Sequence, residues 1–295
     1  MSARRACLVV PGSAPQKLAK AAAVAARLGA DEVVIDLEDA VPPAGKERAR
    51  AAVVEALGAL DWSGVALAVR INAPRTPWCH ADLAALAAAA PALRSVVVPK
   101  VEGAGDLAFA ERLLDGAEAA AGRAVPLRVQ ALIETAAGVA RAQEIAGASP
   151  RLEALIVGYA DLALSLGRGG SAGAERAIWD PVREAVLLAA RAHGLQAIDG
   201  PQLGIAPDEA FDAAVARARE HGFDGKWAIH PSQLAPLRER FSPTDEELAH
   251  ARAVLDALAV AQAAGQGAVA LDGRMLDEPL RLAALRTLAA AGERS

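Results

Sequence analysis

The feature that most constrains this chain is a regular alternation of short apolar runs with longer stretches of helical periodicity. The runs are Cys7–Val10, Glu32–Leu37, Leu67–Ile71, Ser95–Val98, Leu127–Ile133, Leu152–Val157, Gln196–Ile198 and Lys226–Ile229. Segments such as Val33-Val34-Ile35 and Val96-Val97-Val98 are apolar without a break, as parallel strands covered on both faces require. Between the runs, Ala49, Val53, Ala56 and Leu57 share one helical stripe, as do Val182, Ala185, Val186 and Ala189. Phe211, Ala214, Val215 and Ala218 form another; Pro207 is placed to open that helix and Gly222 to close it. Runs spaced by roughly 30 residues, each followed by a helix, predict an α/β fold, a (β/α)8 TIM barrel, ahead of an open doubly wound sheet.

Bulk properties narrow the function. A chain of 295 residues, 54% hydrophobic, can bury one large barrel core. A net charge of -5 and the lack of any basic tract exclude a general nucleic-acid binder. Two cysteines, Cys7 and Cys79, make neither a metal-ligand pattern nor a disulfide framework. The first apolar run stops at Pro11-Gly12, too soon for a signal segment or a membrane span, so a cytoplasmic chain with no membrane partner is expected.

Beyond the eighth run, Thr244 and Glu247 form a capping-box pattern before a long helix reaching about Ala264. Gly265-Gln266-Gly267 breaks it, Ala268–Leu271 is a short apolar run, and Leu280, Ala284 and Leu288 mark a last amphipathic helix. The barrel closes without this tail. The expected division is a catalytic barrel over 1–264 and a C-terminal lid or cap over 265–295 on a glycine hinge. A plain packing appendage is the alternative.

TIM-barrel sites lie at the C-terminal ends of the strands. Those ends read Pro11-Gly12-Ser13, Asp36-Leu37-Glu38-Asp39, Arg70-Ile71-Asn72, Lys100, Glu134-Thr135, Gly158-Tyr159-Ala160-Asp161, Asp199 and His230-Pro231. Any one such residue is commonly just solvated; their convergence on one mouth is not explained that way. Crowded carboxylates need basic partners or a cation, and Arg70 and Lys100 supply part of that charge. Oxygen donors without cysteine point to a hard ion such as Mg²⁺, with Mn²⁺ possible. Glu134 and Asp161, on adjacent strands, are the candidate ligands. Zinc is disfavoured by the lack of a paired His or Cys motif. For Lys17, Lys20 and His230 the pattern alone allows either a binding role or an ordinary solvated or structural one.

Together these motifs are recognisable. Val10-Pro11-Gly12, Val34–Val41 with Lys46 beyond it, Val69-Arg70-Ile71-Asn72, Val98-Pro99-Lys100, Glu134–Gly138, Gly158–Leu162 and Gly225–Pro231 occur in that order. The chain thereby resembles the citrate lyase beta-subunit-like group of the HpcH/HpaI aldolase family, over nearly its whole length. The resemblance implies a Mg²⁺-dependent TIM barrel that makes or breaks a carbon–carbon bond beside a thioester carbonyl. Malyl-CoA, methylmalyl-CoA and citramalyl-CoA are the implied substrates, and coenzyme A is part of the substrate rather than a separate cofactor.

By position, the resemblance implies that Glu134 and Asp161 hold the metal and Arg70 binds substrate oxygens. Lys17 and Lys20 fall near the CoA phosphates, Ile229 and His230 at a CoA-contacting segment, and Asp36, Glu38, Asp39 and Lys100 around the ligands. Gly273–Asp277 resembles the family's lid motif, which makes Asp277 the candidate acid/base and Asp272 its neighbouring alternative. A homo-oligomer, a trimer foremost, is implied as well. Two departures, Val9 and Ser13, lie near the expected thioester pocket and bear on substrate identity. Three rival readings are a CoA-independent pyruvate-class aldolase, a citryl-thioester lyase subunit of a larger complex, and a non-catalytic barrel.

Overall fold

The computed structural model describes residues 4–168, 173–263, 265, 268–271 and 273–292. Asp272 and the 266–267 part of the glycine segment lie outside them. Eight strands close into one parallel barrel in sequence order. They are β1 (Ala6–Pro11), β2 (Glu32–Asp36), β3 (Ala66–Arg70), β4 (Leu93–Val98), β5 (Arg128–Ile133), β6 (Leu152–Val157), β7 (Gln196–Asp199) and β8 (Gly225–Ala228). β1 pairs with both β2 and β8, which leaves no free edge.

Helices follow the strands: α1 (Pro15–Val24), α2 (Lys46–Ala59), α3 (Cys79–Ala87), α4 (Ala104–Ala121), α5 (Ala136–Ala140), α6 (Ala142–Ala146), α7 (Tyr159–Ser165), α8 (Asp180–Ala192), α9 (Glu209–His221) and α10 (Leu234–Phe241). The expected apolar stripes are the buried faces: Ala49, Val53 and Leu57 on α2, and Phe211, Ala214, Val215 and Ala218 on α9. Helix α9 opens on Asp208 rather than Pro207. The Asp208 carboxylate accepts from Phe211 N at 3.0 Å, because a cap needs a side-chain acceptor that proline lacks. Gly222, left-handed at φ 97°, closes the helix as expected.

Side chains alternate across a strand, so each strand has one face inside the barrel and one toward the helices. Cys7, Val34, Ala68, Val97, Leu132, Ala154, Ile156, Ile198 and Trp227 form the interior core. Below it, Arg4 donates to Glu32 at 2.9 Å and also to Glu153 and Gln196. Gln130 donates to Glu32 at 2.8 Å and to Ser95 at 2.9 Å. This polar floor, buried except for the half-buried Gln196, closes the N-terminal end. Among the described residues no helix is long and apolar enough to cross a membrane.

The chain divides into two compact units, Met1–Arg238 and Glu239–Ser295. The second contains α11 (Asp245–Ala263), a two-stranded antiparallel hairpin of β9 (Val269–Leu271) and β10 (Arg274–Leu276), and α12 (Glu278–Ala290). This division into compact units places α11 with the tail, ahead of the 264/265 division expected between barrel and lid. Ala251, Val254 and Leu258 of α11 are buried with Leu276, Ala284 and Leu288 in one small core, so this helix belongs with the tail. The Thr244–Glu247 box forms in both directions, at 2.8 and 3.1 Å.

Candidate active site

Strand parity aims the site. Asp36, Arg70 and Glu134 each lie two residues beyond an interior core residue: Val34, Ala68 and Leu132 respectively. They therefore continue the inward face into the mouth. Asp36 and Arg70 are register partners on β2 and β3. Arg70 accordingly donates through Nε and Nη2 to the two Asp36 oxygens, each at 2.7 Å. Its Nη1 lies 3.2 Å from Glu38 Oε2, and its guanidinium sits 5.9 Å above the Trp227 ring. Asp36 leaves Nη1 unengaged, and Glu38 lies against it with Asp39 at 4.0 Å.

Asp36 also accepts from the backbone N–H groups of Glu38 (2.8 Å) and Ala40 (3.1 Å), which shapes the loop after β2. Lys46, the first residue of α2, ties the same loop by donating to the carbonyls of Leu37 (2.9 Å) and Glu38 (2.7 Å). The sequence reading quoted Lys46 within a motif and missed this role, since nothing in its spacing announces a contact to carbonyls.

Lys100 follows Pro99 in a left-handed conformation, φ 52°. That turn points its backbone N–H at Glu134 Oε1 (3.0 Å) and its ammonium at Glu38 (2.5 Å), Asp39 (3.5 Å) and Asp161 (3.6 Å). Burial opposes the charge on Lys100, but the hydrogen bond to Glu38 and the nearby carboxylates outweigh it and raise the pKa. Glu134 goes the other way. Burial first, then Glu38 and Asp161, push it up to about 8 against the pull of Arg70 and Lys100.

Gly158 follows β6 one step beyond the Ile133–Val157 register pair, so it sits beside Glu134. A Cβ there would lie 2.6 Å from both the Cβ and Oε2 of Glu134. Asp161 follows in the first turn of α7. Asp39, Arg70, Glu134, Asp161, Tyr159 and Trp227 are among the residues lining one cavity of about 320 Å³. None of its lining residues is His or Cys. Five carboxyls (Asp36, Glu38, Asp39, Glu134, Asp161) face Arg70 and Lys100, with Lys46 within electrostatic reach of Asp36, Glu38 and Asp39. The cluster is short of positive charge, and among the described residues Glu134 makes no direct ion pair, feeling Arg70 and Lys100 only at a distance. An all-oxygen donor set with that deficit suits a hard divalent cation. Among the described residues no three His, Cys, Asp or Glu side chains form a ready cage. This fits an ion that takes one or two carboxylates and completes its shell with water and substrate.

A second cavity, about 180 Å³, lies against β1 and α1 and is lined by Val9, Lys17, Lys20, Ile229 and His230, among others. The four residues assigned to one ligand from sequence thus meet. His230 Nδ1 accepts from Ser232 N at 3.2 Å, so this nitrogen serves a local cap. The N–H of Ile229 is engaged by Gln233 at 2.9 Å.

Asn72, Thr135 and Asp199, also read from strand ends, are engaged elsewhere and do not line the cavity. Asn72 is tied to Asp82, through its backbone N at 2.9 Å and its side-chain amide at 2.7 Å. Thr135 caps α5 by accepting from Gly138 N at 3.0 Å. Asp199 follows the inward Ile198 by a single residue, so parity turns it outward, where it pairs with Lys226. Asp277 is the residue before α12, in the C-terminal unit.

Fold and mouth together define a TIM-barrel enzyme with a cation-seeking, all-oxygen site. The HpcH/HpaI aldolase/citrate lyase family profile matches residues 5–231. An L-malyl-CoA/beta-methylmalyl-CoA lyase from Cereibacter sphaeroides is 39% identical, over 92% of this chain and 90% of the relative. A (3S)-malyl-CoA thioesterase from the same species is 37% identical, over 97% and 94%. CitE from Mycobacterium tuberculosis, crystallised with magnesium, acetoacetate and coenzyme A, is 37% identical with a TM-score of 0.79, covering 99% of both chains. The chain belongs to the HpcH/HpaI aldolase/citrate lyase family and is a carbon–carbon lyase of that family.

Proposed function

We propose that this lyase cleaves a small hydroxyacyl-CoA of the malyl-, methylmalyl- or citramalyl-CoA class, with Mg²⁺ held by Glu134 and Asp161. The products are acetyl- or propionyl-CoA and glyoxylate or pyruvate. The observation that carries this reading is the meeting of Arg70, Glu134 and Asp161 in one cavity. The relatives named above, one a malyl-CoA lyase and one crystallised with magnesium and coenzyme A, support the substrate class and the ion. Mn²⁺ suits the same donors. When bound, the ion supplies Lewis-acid polarisation and a template for the substrate's oxygens.

The substrate hydroxyl gives up its proton, which the one later taken up at carbon balances; its carbon becomes a carbonyl and the Cα–Cβ bond breaks. The bonding pair passes to the thioester enolate, which takes up a proton at carbon. Arg70 presents its Nη1 edge to the developing negative charge while Asp36 holds the other edge still. A preorganised donor of this kind is worth about 3 kcal/mol. Glu38, Asp39 and Lys100 hold the cluster together around it. Lys17, Lys20, Ile229 and His230 receive the CoA portion, on the strength of their shared cavity. Asp277 exchanges the proton with the enolate carbon; the match of Gly273–Asp277 to the family's lid motif supports this role. The same resemblance supports a homotrimer acting in the cytoplasm, and three chains per particle by sedimentation is the expected result.

The test is a screen of purified protein against the three CoA esters with and without Mg²⁺, reading glyoxylate, pyruvate, acetyl-CoA and free CoA. Mg²⁺-dependent cleavage of at least one ester is expected; no turnover of any would end the reading. Glu134→Ala and Asp161→Ala should abolish metal-dependent turnover. Asp277→Asn should keep CoA-ester binding and lose about 100-fold in turnover.

A further inference from the structure

The reaction above leaves a buried charged group unused. Asp199 and Lys226, register partners on β7 and β8, are both fully buried on the helix side of the barrel. Asp199 accepts from Lys226 Nζ at 2.5 Å and from the hydroxyl of Tyr159. Lys226 also donates to Gly200 O at 2.5 Å. Arg183 of α8 lies 3.6 Å from Asp199 and stacks 5.2 Å from the Tyr159 ring. Trp179 packs on the other ring contact at 5.2 Å. Even the backbone is close: a Cβ on Gly200 would meet Val157 O at 2.2 Å and the Tyr159 ring at 3.0 Å.

Such a group is a weak way to gain stability, because desolvating the ions offsets their attraction. Its geometric consequence is specific. Tyr159 opens α7, directly after Gly158, which packs on Glu134, and two residues before Asp161. Clamping the Tyr159 hydroxyl therefore clamps the turn that brings both carboxylates to one cavity. We propose that Tyr159, held by Asp199 and Lys226, is a positioning residue that sets the separation of Glu134 and Asp161. The inference rests on the reading of those two carboxylates as the cation's ligands. Removing the hydroxyl frees the turn, and groups that orient ligands without touching the ion typically change metal affinity 10–100-fold.

The experiment titrates Mn²⁺ into the intact protein by electron paramagnetic resonance, alongside calorimetric titration of free CoA and thermal melting. Tyr159→Phe keeps the ring and removes one hydroxyl. It is expected to weaken Mn²⁺ binding about tenfold or more and to raise the KM for metal with kcat at saturating metal little changed. CoA affinity should stay as in the wild type. Unchanged Mn²⁺ affinity, with or without a lower melting temperature, overturns the inference. Should Tyr159→Phe not accumulate as folded protein, Asp199→Asn is read on the same three measurements and the same criterion. A wild type that binds no Mn²⁺ would overturn the ligand assignment as well, which separates the two failures.

Discussion

At the residue scale the mouth is a problem in charge balance, and Glu134 shows it best. Its folded pKa is raised to about 8 by burial and by Glu38 and Asp161, above the ordinary carboxyl value of 4.5. Between those two values the folded chain holds a proton that the unfolded chain has released. Stability therefore falls as pH rises across that window. Metal-free protein in EDTA should lose melting temperature between about pH 5 and pH 8 relative to Glu134→Gln at the same pH. A parallel pair of melting curves for the two proteins would count against the buried, uncompensated carboxyl. Sequence placed this residue at a strand end, where the structure has it, because polar residues just past apolar strands are visible one at a time. It misplaced Asp199, whose outward face depends on a one-residue difference in parity that strand-end counting ignores.

At the element scale, strands place functional groups and caps place helices. The Asp36–Arg70 and Asp199–Lys226 pairs are each register partners on neighbouring strands, so pairing alone puts acid beside base. Helix ends were legible where the signal is local: the Thr244–Glu247 box forms as its spacing indicates. Thr244→Ala should destabilise α11 by about 1 kcal/mol, seen as a lower urea midpoint. An unchanged midpoint would show that this box does not hold the helix start. The domain boundary was less legible. Helix α11 follows the barrel helices in an unbroken pattern, and only its shared core with Leu276, Ala284 and Leu288 assigns it to the tail. The hairpin strand Arg274–Leu276 went unread because three residues carry too little periodicity to register.

At the scale of the whole molecule, the barrel is closed at one end and open at the other. Its floor is polar, with Arg4 bridging Glu32 and Glu153 among Gln130, Ser95 and Gln196. Burial raises the Glu32 pKa, and Arg4 pulls it back only in part. Arg4→Met would leave buried Glu32 without its cation and Glu153 with only Arg128 at 3.8 Å, and should cost about 3–5 kcal/mol in urea denaturation. A loss below 1 kcal/mol would mean that water already reaches the floor. Closing this end leaves the other as the open mouth, where the strand termini bring Arg70 and Glu134 to one cavity and Asp36 holds Arg70 from behind.

The sequence by itself determined the strand count, the closed parallel architecture and the identity of the acids and bases past the strand ends. Those properties follow from local hydrophobic periodicity and from which residue occupies which end. Only the tertiary structure decided which of those residues face one cavity, that Arg70 spends one edge on Asp36, and that Tyr159 is clamped from two later strands. Register and parity between segments far apart in the chain fix these contacts, and no single window of sequence contains both partners.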